Sequence, residues 1–169
     1  MTRCYILFGS NQGDKVKLLE QACTLVNERC GMLVERSSAY ITEPWGFEAD
    51  EWFLNELLVV ETKLGPDKLM DTLLAIEAEL GRVRHPEKKG YSSRTVDLDI
   101  LYYGDRIIKT AKVTIPHPRL HLRRFALTPL CEVIPDFLHP EFNMSQKRLL
   151  EKCPDSSSTH QLNNSTTQQ

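Results

Sequence analysis

The chain has 169 residues, 41% of them hydrophobic, and a formal net charge of −2. That supports one domain with its own core, gives a nucleic-acid partner no help from charge, and includes no apolar run long enough to span a membrane or to form a signal peptide. The five cysteines are odd in number and lack Cys-x-x-Cys spacing, which speaks against a disulfide framework or a zinc site and for a reducing, cytoplasmic setting.

Cys4 to Phe8 reads as a short strand closed by Gly9-Ser10-Asn11. Asp14 caps a helix whose apolar positions are Val16, Leu19, Cys23, Val26 and Cys30, and Gly31 ends it. A strand is expected within Met32 to Thr42, broken at Glu43-Pro44-Trp45-Gly46, and another over Phe53 to Lys63. Pro66 opens a helix with the stripe Leu69, Leu73, Ile76 and Leu80, closed by Gly81. A polar loop over 82–93 leads into Arg94-Thr95-Val96-Asp97-Leu98-Asp99-Ile100-Leu101, whose strict alternation predicts a strand. A hairpin is expected next, turning at Gly104-Asp105 with Ile107-Ile108 in its return strand. Residues 119–134 predict a further helix, interrupted at Pro129. From Cys153 onward Ser, Thr, Asn and Gln dominate, which predicts disorder.

The order predicts an α+β fold: a ferredoxin-like βαββαβ antiparallel sheet with helices on one face, plus C-terminal hairpin and helix additions. The domain would cover 1–152, with a polar tail over 153–169. The second sheet face would be left for a ligand.

Asp97 and Asp99 share one strand face, roughly 6–7 Å apart. Oxygen ligands at that spacing suit Mg²⁺, which shares its coordination with substrate phosphates. Arg82, Arg84, Lys88, Lys89 and Arg94 lie just upstream. Metal-holding carboxylates beside phosphate-holding cations suggest phosphoryl or pyrophosphoryl transfer from a nucleotide. An ordinary edge strand with solvated aspartates fits the spacing equally well. Phe53 and Asn55 share a face, an aromatic platform beside an amide that suits a flat heterocycle. A sheet aromatic next to a turn-facing Asn is the plainer alternative. Trp45 sits in a Pro/Gly-stiffened loop. Glu77, beside the apolar stripe, reads by default as a solvated helical charge. His117 and His121 stand four apart around Pro118, which favours a neutral or phosphate-contacting His117 over zinc. Gly9-Ser10-Asn11-Gln12-Gly13 lacks the ending of a P-loop and reads as strand-to-helix turn chemistry.

In this order, these residues resemble the 6-hydroxymethyl-7,8-dihydropterin pyrophosphokinase family of folate biosynthesis. The resemblance covers about residues 2–140. It rests on Gly9-Ser10-Asn11, Tyr40-x-Thr42-x-Pro44-x-Gly46, Phe53-Leu54-Asn55, Glu77, Gly81-Arg82-x-Arg84, Arg94-Thr95-x-Asp97-x-Asp99-Ile100, Pro116-His117, and Arg123-x-Phe125 followed by Pro129-Leu130.

The resemblance implies transfer of the β,γ-diphosphate of ATP to the pterin hydroxymethyl group, releasing AMP. It implies ATP as co-substrate and two Mg²⁺ ions on Asp97 and Asp99. Arg82 and Arg84 match arginines of a mobile catalytic loop. Glu77, Arg84, Arg94, Ile100, Lys112, Thr114, His117 and Arg123 match ATP-side positions. Thr42, Pro44, Trp45, Phe53, Asn55 and Phe125 match the pterin side, with Phe53 and Phe125 sandwiching the ring. Trp45 stands where the family often has a smaller apolar residue, and Lys112 where an Arg occurs. The expected partners are the small-molecule pterin and ATP, with no nucleic acid or membrane, and the expected state is a monomer. Two rivals share parts of the pattern: a two-metal phosphohydrolase and a non-catalytic ferredoxin-like ligand-binding module.

Overall fold

A computed structural model describes residues 1–42, 52–81 and 96–162. Its elements in chain order are β1 (Thr2–Ser10), α1 (Lys15–Arg29), β2 (Met32–Arg36), β3 (Tyr40–Thr42), β4 (Phe53–Thr62), α2 (Pro66–Glu79) and β5 (Asp97–Tyr103). Then come β6 (Ile108–Lys109), β7 (Thr114–Ile115), a 3-10 turn (Leu120–Leu122), α3 (Arg124–Val133), α4 (Gln146–Lys152) and β8 (Thr159–Gln161). The main sheet runs β5-β1-β4-β3-β8, with β2 also paired to β4. The pairings of β1 with β4 and β5, and of β4 with β2 and β3, are all antiparallel, which is the expected ferredoxin-like arrangement.

Local chemistry explains the element boundaries. The Asp14 carboxylate accepts the Lys17 N–H at 3.2 Å and caps α1. At Gly31, φ is +150°, and a Cβ there would lie 2.2 Å from the Glu61 carbonyl oxygen, so the helix must leave through a glycine. Pro66 takes the first position of α2. The strand expected within 32–42 is two strands. Between them the Ser37 hydroxyl accepts the Leu57 N–H at 2.9 Å, standing in for a backbone partner.

The sheet has a core on each face. One lies under α1 and α2 and contains Cys4, Ile6, Phe8, Leu19, Cys23, Val26, Leu58, Leu69, Leu73, Ile76, Leu98 and Ile100. Val16, expected in that stripe, is instead half exposed. Burial pushes the Cys4 and Cys23 thiols up to about 12, which makes them inert core groups. The second core holds Tyr5, Leu7, Leu57, Val59, Leu101 and Tyr102 against Leu127, Leu130 and Leu149 of α3 and α4. The C-terminal helices therefore cover part of the face that a two-helix count leaves bare.

Three expectations are corrected. The return strand β6 pairs with β7 in a separate two-stranded sheet, not with β5. Gly104 does turn the chain, at φ +56°, but the Leu101 carbonyl on the free side of β5 is taken by the His117 N–H at 3.1 Å. The break expected at Pro129 falls at Arg123, where the 3-10 turn ends. Pro129 lies buried inside α3, where packing on the second core offsets its missing N–H. Polar composition predicts disorder from Cys153 onward, yet Thr159–Gln161 form β8, because the edge of β3 supplies backbone partners that composition does not register.

Candidate functional site

Strand register brings the sequence-predicted residues together. Gly9 pairs with Asn55 on one side and Asp97 on the other. Asn55 pairs with Tyr40, and Thr42 with Phe53. Directly opposed residues share a sheet face. Thus Tyr40, Asn55, Gly9 and Asp97 form one row on the α3 side, spanning roughly 14 Å at the usual strand separation. Asp99, opposite Leu7, falls on the same face one period along β5.

One end of the row is set for hydrogen bonding. Asn55 is 3% exposed and Thr42 2%, and the Asn55 Nδ2 donates to Thr42 Oγ1 at 2.7 Å. This turns Asn55 Oδ1 over Gly9, where it would stand 3.0 Å from a Cβ. Gly9 therefore does more than begin a turn. It belongs to β1 and keeps the row low between the amide and the carboxylates. The signal was present in the alternation Tyr5, Leu7, Gly9, which puts a glycine where the period demands a side chain. Phe53 lies one period beyond Asn55 on the same face. Phe125, in the first turn of α3, packs against the second core, with the Arg123 guanidinium 5.5 Å from its ring centre.

At the other end, Asp97 and Asp99 are partly exposed on β5, and Leu98 between them is buried on the opposite face. Glu77 is no solvated charge. It is 3% exposed on the inner face of α2, and its Oε2 accepts the Leu98 N–H at 2.7 Å. Among the described residues β5 is an edge strand, so this carboxylate satisfies a donor that has no strand neighbour there and braces the backbone between the two aspartates. Hard oxygen donors, partly exposed and braced from behind, fit a divalent cation such as Mg²⁺. That ion commonly takes one or two carboxylates and completes its shell with water and phosphate.

His117 is tied to β5 by its backbone bond to Leu101. Its Nδ1 accepts the Arg119 N–H at 3.2 Å, which leaves Nε2 as the donor. Burial, then Arg123 and Arg119, hold its pKa down to about 4, so the ring is neutral at pH 7. His121 packs edge-on against Phe142 at 4.8 Å. Ile100 is 3% exposed in the helix-side core, so its side chain faces away from the row and only its backbone can reach a nucleotide. Lys112 forms an exposed ion pair with Asp71 at 2.7 Å, and Thr114 is exposed on β7. Arg82, Arg84, Arg94, Pro44 and Trp45 lie outside the described residues. A cavity of about 440 Å³ bordered by Arg36, Glu56 and Leu54 opens on the opposite face of β4, and its Arg36 is engaged by Glu20 and Glu56.

The sequence profile of the 7,8-dihydro-6-hydroxymethylpterin-pyrophosphokinase family matches residues 5–135. The chain is 38% identical to a 2-amino-4-hydroxy-6-hydroxymethyldihydropteridine pyrophosphokinase of Methylorubrum extorquens, over 82% of this chain and 86% of the relative. It is 40% identical to the protein of that name in Bacillus subtilis, over 76% of each. It is also similar to the folic acid synthesis protein fol1 of Pneumocystis carinii, at 36% identity over 89% of this chain and 20% of that protein. Among solved structures, it superposes on a Plasmodium falciparum HPPK-DHPS with a TM-score of 0.71 at 18% identity, a likeness of fold. The match covers 90% of this chain and 43% of the Plasmodium chain, so this chain spans less than half of that length.

Proposed function

The chain belongs to the 7,8-dihydro-6-hydroxymethylpterin-pyrophosphokinase family, and we propose that its row of residues from β3 to β5 is where the β,γ-diphosphate of ATP passes to the hydroxymethyl oxygen of 6-hydroxymethyl-7,8-dihydropterin. The observation that carries this reading is the register Asn55–Gly9–Asp97. It sets an amide suited to a heterocycle and a carboxylate suited to a metal on either side of a residue with no side chain.

Phe53 and Phe125 take the two faces of the pterin ring, and Thr42 and Asn55 bond its edge. Asn55 Oδ1 accepts from a ring N–H, while the bond to Thr42 fixes which way the amide points. Asp97 and Asp99 would hold two Mg²⁺ ions, which would neutralise charge on the triphosphate. Glu77 keeps the two aspartates at a constant spacing by holding Leu98. Neutral His117 donates from Nε2 to a phosphate oxygen, adding no charge that protonation near neutrality would alter. Arg123, and Arg82, Arg84 and Arg94 by sequence, supply guanidinium groups to the same phosphates. The pterin hydroxyl attacks the β-phosphorus, the bond from that phosphorus to the α,β-bridging oxygen breaks, and AMP leaves as the hydroxyl proton is released. Positioning and electrostatics carry such a transfer. The protein acts as a monomer in the cytoplasm, on small molecules. No helix among the described residues is long and apolar enough to cross a membrane.

The test incubates the protein with ATP, Mg²⁺ and 6-hydroxymethyl-7,8-dihydropterin and resolves nucleotides and pterins by chromatography. AMP is expected in step with pterin diphosphate, and only when all three are present. ADP or phosphate formed without pterin consumption would reverse the reading in favour of a hydrolase.

A further inference from the structure

The chain beyond α4 lies outside residues 5–135, where the family profile matches, yet it touches both walls of the site. On one wall β8 pairs with β3, setting Thr159 opposite Thr42, His160 opposite Ile41 and Gln161 opposite Tyr40. The Leu162 N–H donates to the Ala39 carbonyl at 2.8 Å, and Gln161 Nε2 donates to Ser38 Oγ at 2.9 Å. The His160 ring lies 6.1 Å from that of Trp52, the residue before Phe53. The Thr159 hydroxyl oxygen is buried with no hydrogen-bond partner among the described residues, in register with Thr42.

On the other wall, α3 starts without a cap of its own, since Arg123 makes no side-chain capping bond. Asp155 provides the cap from a distance. Its Oδ2 accepts the Arg124 N–H at 3.2 Å, and its carbonyl accepts Arg124 Nε at 2.7 Å. Its Oδ1 is held in turn by the Ser157 N–H, at 2.9 Å, and by the Ser157 hydroxyl. Arg124 lies between Arg123 and Phe125. The far half of α3 is already tied to β3, because Glu132 accepts the Ser38 N–H at 2.7 Å and the Tyr40 hydroxyl. Asp155 and β8 close the other side of that frame.

We propose that Asp155–Gln161 is a strap that positions the pterin site by holding Thr42 on β3 and Phe125 on α3 at a set separation. The proposal rests on the pterin reading above. β3 has three residues, and α3 has no side-chain cap from its own N-cap residue. Each is weak alone, as a short edge strand and as a helix start with unpaired N–H groups. The same seven residues order both, so loosening the β8 end should be felt at the ring and not at the triphosphate, while loosening the Asp155 end, which holds Arg124 between Arg123 and Phe125, should be felt at both.

The test uses the full chain and its variants Asp155→Ala, Asp155→Asn and His160→Pro, reading kcat, the KM for each substrate and Tm. His160→Pro removes a backbone donor from the middle of β8. Asp155→Ala and His160→Pro are each expected to raise the pterin KM about fivefold, the scale of a lost cap. The ATP KM should stay within about twofold in His160→Pro, and Asp155→Asn, which keeps an oxygen acceptor, should restore the pterin KM to within about twofold. An unchanged pterin KM in Asp155→Ala would overturn the strap. So would a rise in both KM values in His160→Pro that tracks loss of Tm, which marks general loosening. A wild-type protein that releases no AMP from ATP when the pterin is present would overturn the functional reading, and the strap with it.

Discussion

The α3 side of the sheet has two halves made by the same strands. In the apolar half, Tyr5 and Leu7 of β1, Leu57 and Val59 of β4, and Tyr102 of β5 pack under α3 and α4. In the polar half, the next residues along those faces are Gly9, then Asn55 and Phe53, then Asp99 and Asp97. The backbone is continuous across both, with one irregularity in the apolar half, where the β1–β5 register shifts between Tyr5 and Ile6. The first is a core because two helices cover it. The second can be a site because, Phe53 apart, its side chains are polar or absent, and an apolar cover would leave those polar groups without partners.

If the halves are as distinct as this, substitutions in them should separate activity from stability. Asp97→Asn should lower turnover on the order of a hundredfold to a thousandfold, the scale of lost metal-borne charge stabilisation. Its denaturant midpoint should move little. Leu57→Ala, 0% exposed in the apolar half, should cost about 2–5 kcal/mol of stability while the folded fraction keeps its pterin KM. Denaturation and initial-rate measurements on both variants check this. Equal loss of stability in the two would erase the distinction.

Gly9→Ala sharpens the boundary between the halves. The added Cβ would meet Asn55 Oδ1 at 3.0 Å, so the amide must turn away from its place over Gly9. We expect about a tenfold drop in kcat/KM for the pterin, since small misplacements near the reacting groups are costly. A normal pterin KM would show that the amide does not read the ring.

The smallest effect concerns pH. The folded His117 has its pKa held down to about 4, by burial and then by Arg123 and Arg119, against about 6.5 in an unfolded chain. The unfolded state therefore binds more protons between those values, and stability falls as pH drops from about 6.5 towards 4. His117→Gln removes that contribution. Its Tm should decline less steeply than wild type over the same range, and parallel Tm curves would show that His117 is not held neutral by the fold.

Much of the fold was legible because its signals are local. The Asp14 cap, the Leu69-Leu73-Ile76 stripe and the alternation Val96-Asp97-Leu98-Asp99 each follow from neighbours within one or two turns. So was the placing of Asp97 with Asp99 on one face of β5 and of Phe53 with Asn55 on one face of β4. Glu77 and Ile100 were less legible. A helical Glu beside an apolar stripe turns inward only because β5 presents an unpaired N–H there. Ile100 belongs to the core because its parity puts it under α2.

By itself, the sequence determined the α+β order, the helix faces and the two aspartates with their shared orientation, since periodicity and capping act over a few residues. Only the tertiary structure decided that Gly9 separates Asn55 from Asp97, that Glu77 braces Leu98, and that Asp155 caps a helix whose first residue lies 31 positions earlier. Register, edge satisfaction and capping across such separations depend on which segments meet in space, and short-range pattern carries no record of that.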